Sequence, residues 1–411
     1  MKNLVNSGTN HEYTKSHNLQ VVLQAIRQNS NISRPELCEM TGLTAQTVSK
    51  ISQALMANGL VEISGRRSSG RGYPAPEFRV RPNGGYALGV NVDQDHITII
   101  LVDFSGAIRG RVHYNVRFPS LEYALPIVAK AVDDLLDQIP KSRLRTYGVG
   151  LAVPGRISME GELIHPPRSL MSWKNQPLRK MFSNATKLPV WVENNANSAA
   201  IGESYYGVGH KHRNFFHMFL GTGVGCGIII NGQLYKGASG FAGEIGLYPM
   251  NPLGPEGGDE NFENLSDHIS FYGVFQNLEA KNEIGAEIKT VEDLVASNHP
   301  AIEDWLKDTT KALLAPVSVV QSLLDPEVFV FGGGVPATLM ERLVTKLDKA
   351  VSKWSEGKLV PPKFISATTG RDGTALGAAT LPFYYALSVS PEGLLKNSGP
   401  PKKLSVSANS A

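Results

Sequence analysis

Cysteine is scarce in this chain of 411 residues. The only two, Cys38 and Cys226, are far apart in the sequence, so neither a disulfide framework nor a cysteine-rich zinc site is expected. No apolar run approaches the roughly 18 residues that a membrane span requires, and the N-terminus has no apolar signal-peptide core. These absences predict a cytoplasmic protein without a membrane partner.

Aspartate is absent from the first 80 residues, and this segment carries the basic charge of the chain. It contains nine Lys and Arg against five Glu, a net charge of +4 in a chain whose total is +3. A basic segment favours a polyanionic partner, although so small an excess is also compatible with a solvated surface. The length and the 42% of hydrophobic residues allow two or three domains, each with a core.

The basic segment contains a helix-turn-helix pattern. Apolar residues at helical spacing predict a first helix over residues 18–29, and a capping box between Ser33 and Glu36 opens a second helix that runs through Met40. Thr44 is the expected N-cap of a third helix that ends near residue 58. The polar outer face of this third helix consists of Gln46, Thr47, Ser49 and Lys50.

A wing follows the third helix in the sequence. Strand patterns at 60–63 and 77–80 flank a Gly/Ser-rich tip that carries Arg66, Arg67 and Arg71. Arginines on such a tip suit phosphate contact or insertion into a minor groove. The pattern therefore predicts a winged helix-turn-helix domain over residues 1–80 that binds double-stranded operator DNA. A three-helix packing module without nucleic acid is the alternative.

The most informative stretch is 217–247, HMFLGTGVGCGIIINGQLYKGASGFAGEIGL. Two apolar strand patterns are joined by a glycine-rich turn at 221–227, and glycines allow close backbone approach, so Thr222 and the N–H groups of the turn can cradle a phosphate. A tight turn without a ligand is the simpler alternative. The whole run resembles the signature of the ROK family, named for repressor, open reading frame and kinase. This resemblance implies an α/β, two-lobed, actin-like sugar kinase fold of the ribonuclease H-like type.

The resemblance covers about residues 17–386 and implies a domain order. A first α/β lobe is expected over 81–200 and a second over 201–388, while the Ser-, Pro- and Lys-rich tail 389–411 is predicted to be disordered. The N-terminal segment also resembles the winged helix of ROK repressors, including their Gly-Arg-Gly tip before a proline.

The resemblance also implies a sugar site, with contacts from Gly155, Asn194, Asn195 and Glu244. ROK kinases have E-N-D-A-N where this chain has E-N-N-A-N, so Asn195 stands in place of the aspartate that acts as general base. An amide cannot accept that proton at neutral pH, but it can hydrogen-bond a hydroxyl group. Helix capping is the alternative for both asparagines, and capping of local N–H groups is the alternative for Glu244.

Two further motifs of the family are degenerate. ROK kinases carry D-x-G-G-T in the first hairpin, where this chain has N-V-D-Q-D at 91–95; both glycines are missing, and Asp93 and Asp95 would repel nucleotide phosphate. We therefore expect no nucleotide cofactor and no phosphoryl transfer. The histidine and three cysteines of the family zinc site are replaced by Leu247, Gly257, Asp259 and Asn264, and a sugar-binding glutamate is replaced by Ser266.

No metal is expected, because a solvated acidic loop explains Asp259, Glu260, Glu263, Asp267 and His268 better than a new metal site without regular ligand spacing. Taken together, the sequence predicts a transcriptional regulator, a repressor of carbohydrate uptake or catabolism genes. The expected effector is a sugar that binds in a catalytically inactive cleft. The protein is expected to be a homodimer or homotetramer, since helix-turn-helix proteins read paired half-sites. The alternatives are an active sugar kinase with an appended DNA-binding domain, and a regulator controlled by a protein partner.

Overall fold

The structure, a computed structural model, describes residues 11–67, 75–158, 160–250, 263–283, 290–355 and 361–387. These residues form two compact units, one of residues 11–84 together with 383–387, the other of residues 85–382. Arg71, the loop positions 257, 259 and 260, and the tail 389–411 lie outside the described residues. No helix within the described ranges has the length and apolar character needed to cross a membrane.

The N-terminal unit is a three-helix module followed by a wing. Its elements are α1 (His11–Gln28), β1 (Ile32–Ser33), α2 (Arg34–Thr41), α3 (Ala45–Ala57), β2 (Val61–Arg67) and β3 (Ala75–Val80), and the strands pair in the order β1-β3-β2. Helix α1 begins at His11 instead of at residue 18, where the apolar periodicity starts. Because residues 11–17 carry no apolar repeat, the periodicity could not detect this extension of the helix.

Local capping explains where α2 and α3 begin. The Ser33 N–H donates to Glu36 Oε2 at 2.7 Å, and the Glu36 N–H donates to Ser33 Oγ at 3.5 Å, which confirms the capping box. The Thr47 N–H donates to Thr44 Oγ1 at 3.3 Å at the start of α3. Val48, Ile51 and Leu55 of α3 are buried. The opposite face of α3 is therefore the one available to a ligand.

The second unit contains two α/β lobes. Its elements in chain order are β4 (Tyr86–Val92), β5 (His96–Asp103), β6 (Ile108–Asn115), α4 (Leu121–Asp137), β7 (Thr146–Val153), β8 (Arg156–Ile157), β9 (Leu163–His165), α5 (Leu178–Thr186), β10 (Val190–Asn194), α6 (Asn195–Tyr206), β11 (Phe215–Leu220), β12 (Val224–Ile230), β13 (Gln233–Leu234), α7 (Leu265–Ile269), α8 (Phe271–Ala280), α9 (Val291–Ala296), α10 (Ala301–Leu324), β14 (Val328–Gly333), α11 (Ala337–Ser355), β15 (Phe364–Ser366) and α12 (Gly373–Leu387). The sheets have the orders β10-β7-β4-β5-β6 and β13-β12-β11-β14-β15, with β8 and β9 as a separate hairpin.

Each sheet is covered by helices that bury its apolar face. Strand β4 is buried along its whole length, as expected for a central strand covered on both faces. Helix α4 and Trp173, which is completely buried, pack with this sheet in one apolar core. Helices α10 and α11 contribute to a second core around Phe329 and Phe331 of β14. The two sheets thus have separate hydrophobic cores.

Glycines bring α12 into direct contact with the backbone of the first sheet. A Cβ atom on Gly89 of β4 would lie 1.9 Å from the carbonyl oxygen of Ala375, and one on Gly150 of β7 would lie 1.8 Å from that of Ala378. A Cβ atom on Gly377 would lie 1.6 Å from the carbonyl oxygen of Ser198 in α6. Because α6 begins at Asn195, this packing fixes the position of the asparagines that were predicted to bind sugar.

Candidate functional site

The glycine-rich turn lies between two paired strands. Strands β11 and β12 are antiparallel, with Leu220 opposite Val224, and the Gly221 N–H donates to the Gly223 carbonyl oxygen at 3.0 Å. Strand β14 runs parallel to β11, so that Gly333 lies beside Leu220. Two glycine-containing strand ends therefore meet at the place where the family resemblance implies nucleotide phosphate.

Side chains from the first lobe contact this turn directly. Gln94 Nε2 donates to Thr222 Oγ1 at 3.2 Å, and the Thr222 hydroxyl donates to Asp93 Oδ1 at 3.1 Å. The Ser169 hydroxyl holds the other end of the Gln94 side chain by donating to Oε1 at 2.6 Å. The hairpin turn between β4 and β5 is thus hydrogen-bonded to the turn between β11 and β12. We call Asp93, Gln94 and Thr222 the bridging network.

Asp93 is buried within this network. It is only 4% exposed, its Oδ1 also accepts from the Gln94 N–H at 2.7 Å, and Asn195 Nδ2 donates to its Oδ2 at 3.4 Å. Burial and then the charge of Asp95 raise the pKa of the Asp93 carboxyl. Asp93 was expected to be a charge that repels nucleotide phosphate, but in the structure it is a buried hydrogen-bonding group. Asp95 faces His96 instead, with 2.6 Å between Oδ1 and Nδ1.

Asn194 has the capping role that the sequence left as an alternative. Its Oδ1 accepts from the N–H groups of Ala196 at 2.8 Å and Asn197 at 3.2 Å, and its Nδ2 donates to the Gly155 carbonyl oxygen at 2.9 Å. Gly155 has a φ of 107°, and a Cβ atom there would lie 2.4 Å from the His165 carbonyl oxygen. Gly155 and Asn194 are therefore adjacent, and Asn194 keeps one amide hydrogen for a ligand.

Asn195 occupies the base position next to Asp93. It is the first residue of α6 and is 7% exposed. Its amide donates to a carboxyl group, so its nitrogen faces Asp93, and no proton-accepting carboxylate stands at this position of the chain. The Asn195 side chain itself can hydrogen-bond a hydroxyl group but cannot act as a general base.

Glu244 lines a cavity of about 340 Å³ together with Phe216, Cys226, Ile228, Phe241, Leu247 and Val320. Gly155, Asn194 and Asn195 do not line this cavity. The structure thus brings these three predicted sugar contacts together, whereas Glu244 lines a different space and is linked to their region through the nearby charges of Arg156 and His165. The Glu244 side chain caps no N–H group of the 3₁₀ helix Ile245–Leu247 that follows. Burial raises the pKa of its carboxyl, while the charges of Arg156 and His165 lower it.

Sequence reasoning missed four charged or polar residues around this region. Lys236 Nζ lies 2.5 Å from Glu193 Oε2, and Glu193 is buried beside the asparagines. Gln94 and Arg156 were the other two. Arg156 was detectable in principle, since it directly follows Gly155, which the resemblance places at the sugar. Glu193 and Lys236 are 43 positions apart, and the sequence contained no signal of their pairing.

The face of α3 presents its polar residues unequally. Gln46 and Lys50 are exposed, whereas Thr47 and Ser49 are half-buried. The Thr47 hydroxyl lies 2.9 Å from that of Thr44, so it takes part in the helix cap. Gln46 and Lys50 are consequently the side chains of this face with the greatest reach.

Two of the wing arginines, Arg66 and Arg67, lie on a strand. Strand β2 extends through Arg66 and Arg67, because β3 pairs with it as far as Ala75 opposite Arg67. Arg67 also forms ion pairs with Glu77 at 2.6 Å and with Glu36 at 3.1 Å. Its expected place on a free tip was wrong, and its acidic partners come from outside the Arg-rich stretch. Arg66 is exposed on β2.

The positions of the family zinc site carry other contacts. Leu247 is exposed, the N–H of Asn264 donates to Asp267 Oδ2 at 2.9 Å, and His268 Nε2 lies 3.0 Å from Glu263 Oε2. Within the described ranges, no group of three His, Cys, Asp or Glu side chains is arranged to hold a metal ion.

Comparison with known proteins identifies both parts of the chain. Residues 87–383 match the profile of the ROK family, and residues 17–62 match that of winged helix-turn-helix DNA-binding domains. The xylose repressor of Bacillus spizizenii is 34% identical over 244 residues, which are 59% of this chain and 63% of the repressor. The chain thus spans less than two thirds of the length of this relative.

Solved structures agree on the fold. The crystal structure of a ROK family transcriptional regulator, a homologue of the E. coli MLC protein, has a TM-score of 0.69 and 22% identity, covering 90% of this chain and 96% of that one. A ROK family glucokinase from Streptomyces griseus, in complex with glucose and AMPPNP, has a TM-score of 0.61 and 26% identity, covering 72% of this chain and 99% of that one. The predicted α/β, two-lobed, actin-like fold is confirmed. The protein belongs to the ROK family and has a winged helix-turn-helix DNA-binding domain at residues 17–62.

Proposed function

We propose that this protein is a transcriptional repressor of carbohydrate uptake or catabolism genes, and that a sugar bound near Gly155, Asn194, Asn195 and Glu244 controls its binding to operator DNA. The sugar acts by binding one arrangement of the DNA-binding and sugar-binding parts more tightly than another. The protein works as a homodimer or homotetramer, because paired half-sites require two DNA-binding domains.

The bridging network is the observation that carries the inactive-cleft part of this proposal. In a phosphate-binding turn, the backbone N–H groups and the hydroxyl face the ligand. Here the hydroxyl of Thr222 is engaged by Asp93 and Gln94, and a nucleotide would have to displace both. A carboxyl group at that place would also oppose phosphate in its ionised form.

The relatives favour this reading over an enzyme with an appended domain. A protein named xylose repressor is among them, and the DNA-binding match accounts for the segment that precedes the ROK fold. The similarity to a glucokinase is the observation in favour of a kinase. The amide at Asn195 speaks against it, because loss of a positioned base typically costs about 10²- to 10⁴-fold in rate.

The direct test begins with operator selection. Full-length protein is used to select sites from a library of random duplexes, and binding to the selected duplex is then titrated with a panel of pentoses, hexoses, N-acetylhexosamines and their acidic derivatives. Release of DNA by one member of the panel is expected. If no duplex is enriched, the DNA-binding role fails; if a duplex is enriched and no sugar changes its affinity, control by a protein partner replaces control by sugar.

We predict no sugar-dependent ATP turnover. The protein is incubated with ATP, magnesium and the sugar panel while ADP is followed, and the rate should lie far below the roughly 1 to 100 per second of typical kinases. The Asn195→Asp variant should also be inactive, because Asp93 and Gln94 still hold Thr222. Turnover near one per second in the parent protein would overturn the inactive-cleft proposal, and recovery in the Asn195→Asp variant alone would show that the bridging network does not exclude nucleotide.

We predict that the two neighbouring arginines of the wing behave differently. Arg66→Ala should weaken binding to all DNA sequences and flatten the salt dependence by up to about one unit of slope, the effect of one lost phosphate contact. Arg67→Ala serves as the matched control and should change the salt slope less, because Glu36 and Glu77 hold its guanidinium. Equal slopes for both variants and the parent would mean that β2 does not contact DNA.

We also predict the effects of substitutions on the polar face of α3 and at Arg71. Gln46→Ala and Lys50→Ala should alter the preference among base pairs, since residues of a recognition helix reach base edges in the major groove. Thr47 and Ser49 are half-buried and should contribute less, and Arg71 should act through phosphate like Arg66. If both helix variants bind DNA more weakly but keep the same preference among base pairs, Gln46 and Lys50 contact the DNA backbone and not the base edges.

A further inference from the structure

Arg156 has an unusual environment beside the proposed sugar site. Its guanidinium carbon lies 3.2 Å from the centroid of the Phe241 ring, and its Nη2 donates to the Ser239 carbonyl oxygen at 2.9 Å. Its Nε is buried without a hydrogen-bond partner among the described residues. Stacking of this kind holds the plane of a guanidinium group. Because Nε is buried and Nη2 already donates one hydrogen bond to Ser239, the edge formed by Nη1 and Nη2 is the one that a ligand can reach.

No carboxylate of the described residues lies within ion-pair distance of Arg156, whereas Lys236 nearby is paired with Glu193. A cation that is partly withdrawn from water normally gains a counterion or several acceptors. The guanidinium group of Arg156 has only two contacts of this kind among the described residues, the carbonyl oxygen of Ser239 and the face of the Phe241 ring. It is therefore the cation of this region with unused hydrogen-bonding capacity within the described ranges.

Phe241 connects Arg156 to the Glu244 cavity. The ring stacks under the guanidinium and also lines the cavity of about 340 Å³ that Glu244 lines. His165, which pairs with Arg156 across the β8–β9 hairpin, has its ring centroid 6.4 Å from that of Phe241. Arg156 itself does not line the cavity, but its positive charge acts on the Glu244 carboxyl and lowers the pKa of that group. The two side chains are therefore near each other, and they form no ion pair.

We propose that Arg156 determines the class of effector by binding the oxyanion of an anionic sugar, one that carries a carboxylate or a phosphate group, while Glu244 accepts from its hydroxyl groups. This inference rests on the sugar-sensing role proposed above. A guanidinium group binds carboxylate and phosphate oxygens through two parallel N–H donors. A neutral sugar has no oxyanion to accept from the N–H groups of Arg156, so Arg156 would contribute less to its binding.

Alternatively, the stacked Arg156 only fixes the loop of Ser239 and Phe241. The two roles separate in a ligand-binding experiment. Binding of glucose, glucuronate and glucose 6-phosphate, and of galactose and galacturonate, is measured by calorimetry on full-length protein. The acid or the phosphate ester should bind about 10- to 100-fold more tightly than the parent sugar, the range for a charge-assisted hydrogen-bonded pair. Comparison of glucuronate with glucose 6-phosphate then shows whether a carboxylate or a phosphate group is preferred.

Variants of Arg156 sharpen the result. Arg156→Gln should remove the preference for the anionic sugar and leave the affinity for the neutral parent sugar within about threefold, whereas Arg156→Lys should keep part of the preference, since it preserves charge but not the planar fork. Lys180→Gln on α5, which removes one exposed positive charge, is the matched control and should change neither. Thermal unfolding of each variant checks that the loop change has not unfolded the protein.

The outcomes distinguish the inference from the function on which it rests. Binding of neutral sugars at least as tight as that of their acids and phosphates, with operator release intact, overturns the role of Arg156 and leaves sugar sensing in place. Equal loss of neutral and anionic binding in a folded Arg156→Gln protein assigns Arg156 to loop positioning, which also overturns it. Absence of binding by every sugar of both classes contradicts the sugar-sensing proposal itself.

Discussion

Replacing Gly377 by alanine should destabilise the ROK unit severely. In an isolated helix this change stabilises by about 1 kcal/mol, but here the added Cβ would lie 1.6 Å from the Ser198 carbonyl oxygen and 2.8 Å from the Gly202 nitrogen. Both atoms are backbone, so no side-chain rotation can relieve the overlap. We expect a loss of at least about 3 kcal/mol, the upper end of the usual cost of overpacking, and a fall in Tm on the order of 10 °C.

Gly334→Ala is the matched control for this substitution. It removes a glycine from the same unit, but the nearest atom to an added Cβ, the Gly221 Cα, lies 3.9 Å away. Its thermal unfolding should therefore resemble that of the parent. Calorimetric scans of the three proteins measure the difference. Unfolding of Gly377→Ala at the temperature of the parent would show that α6 and α12 do not approach each other as closely as the structure places them.

This packing illustrates what the sequence could predict and what it could not. The start of α12 is rich in small residues, but its partners Gly89, Gly150 and Ser198 are at least 175 positions away along the chain. Periodicity and capping report interactions within one turn of helix or one hairpin, so they predicted α2 and α3 well. Contacts between distant segments depend on the topology, which no local pattern contains.

The candidate site shows the same division. Glu244 was identified by family resemblance, and the capping alternative for Asn194 followed from its position between a strand and a helix. The bridging network was not predictable, because Gln94 and Thr222 are 128 positions apart. Arg67 was expected on the Gly/Ser-rich tip for a related reason. Its partners Glu36 and Glu77 lie outside that stretch, and composition alone could not show that they form ion pairs with Arg67.

Replacing Glu244 by glutamine should raise the sugar concentration needed to release operator DNA by roughly 10- to 100-fold. A carboxylate accepts hydrogen bonds from hydroxyl groups more strongly than an amide does, and hydrogen bonds to charged groups contribute about 1.5 to 3 kcal/mol. Glu244 is suited to this role because its side chain caps no N–H group of the following helical turn and its carboxyl is near Arg156 and His165, which follow and face Gly155. Glutamine keeps the shape of the side chain, so the affinity for operator DNA in the absence of sugar should not change.

The measurement is a titration of operator binding with the sugar that releases the parent protein most effectively. Glu341→Gln is the matched control, because Glu341 is an exposed carboxylate on α11 that does not line the cavity, and its titration should overlay that of the parent. A shifted midpoint with full release at high sugar concentration assigns Glu244 to the effector site, since DNA binding and the response remain intact while affinity for sugar falls. Overlapping curves for the parent and Glu244→Gln would exclude Glu244 as a sugar contact, and it is the one acidic residue that this chain keeps at a sugar position of the family. The effector would then have to be held by Gly155 and the asparagines alone, whose hydrogen-bonding groups are already largely engaged by one another, by α6 and by Asp93. A protein partner would become the better explanation of how DNA binding by this protein is controlled.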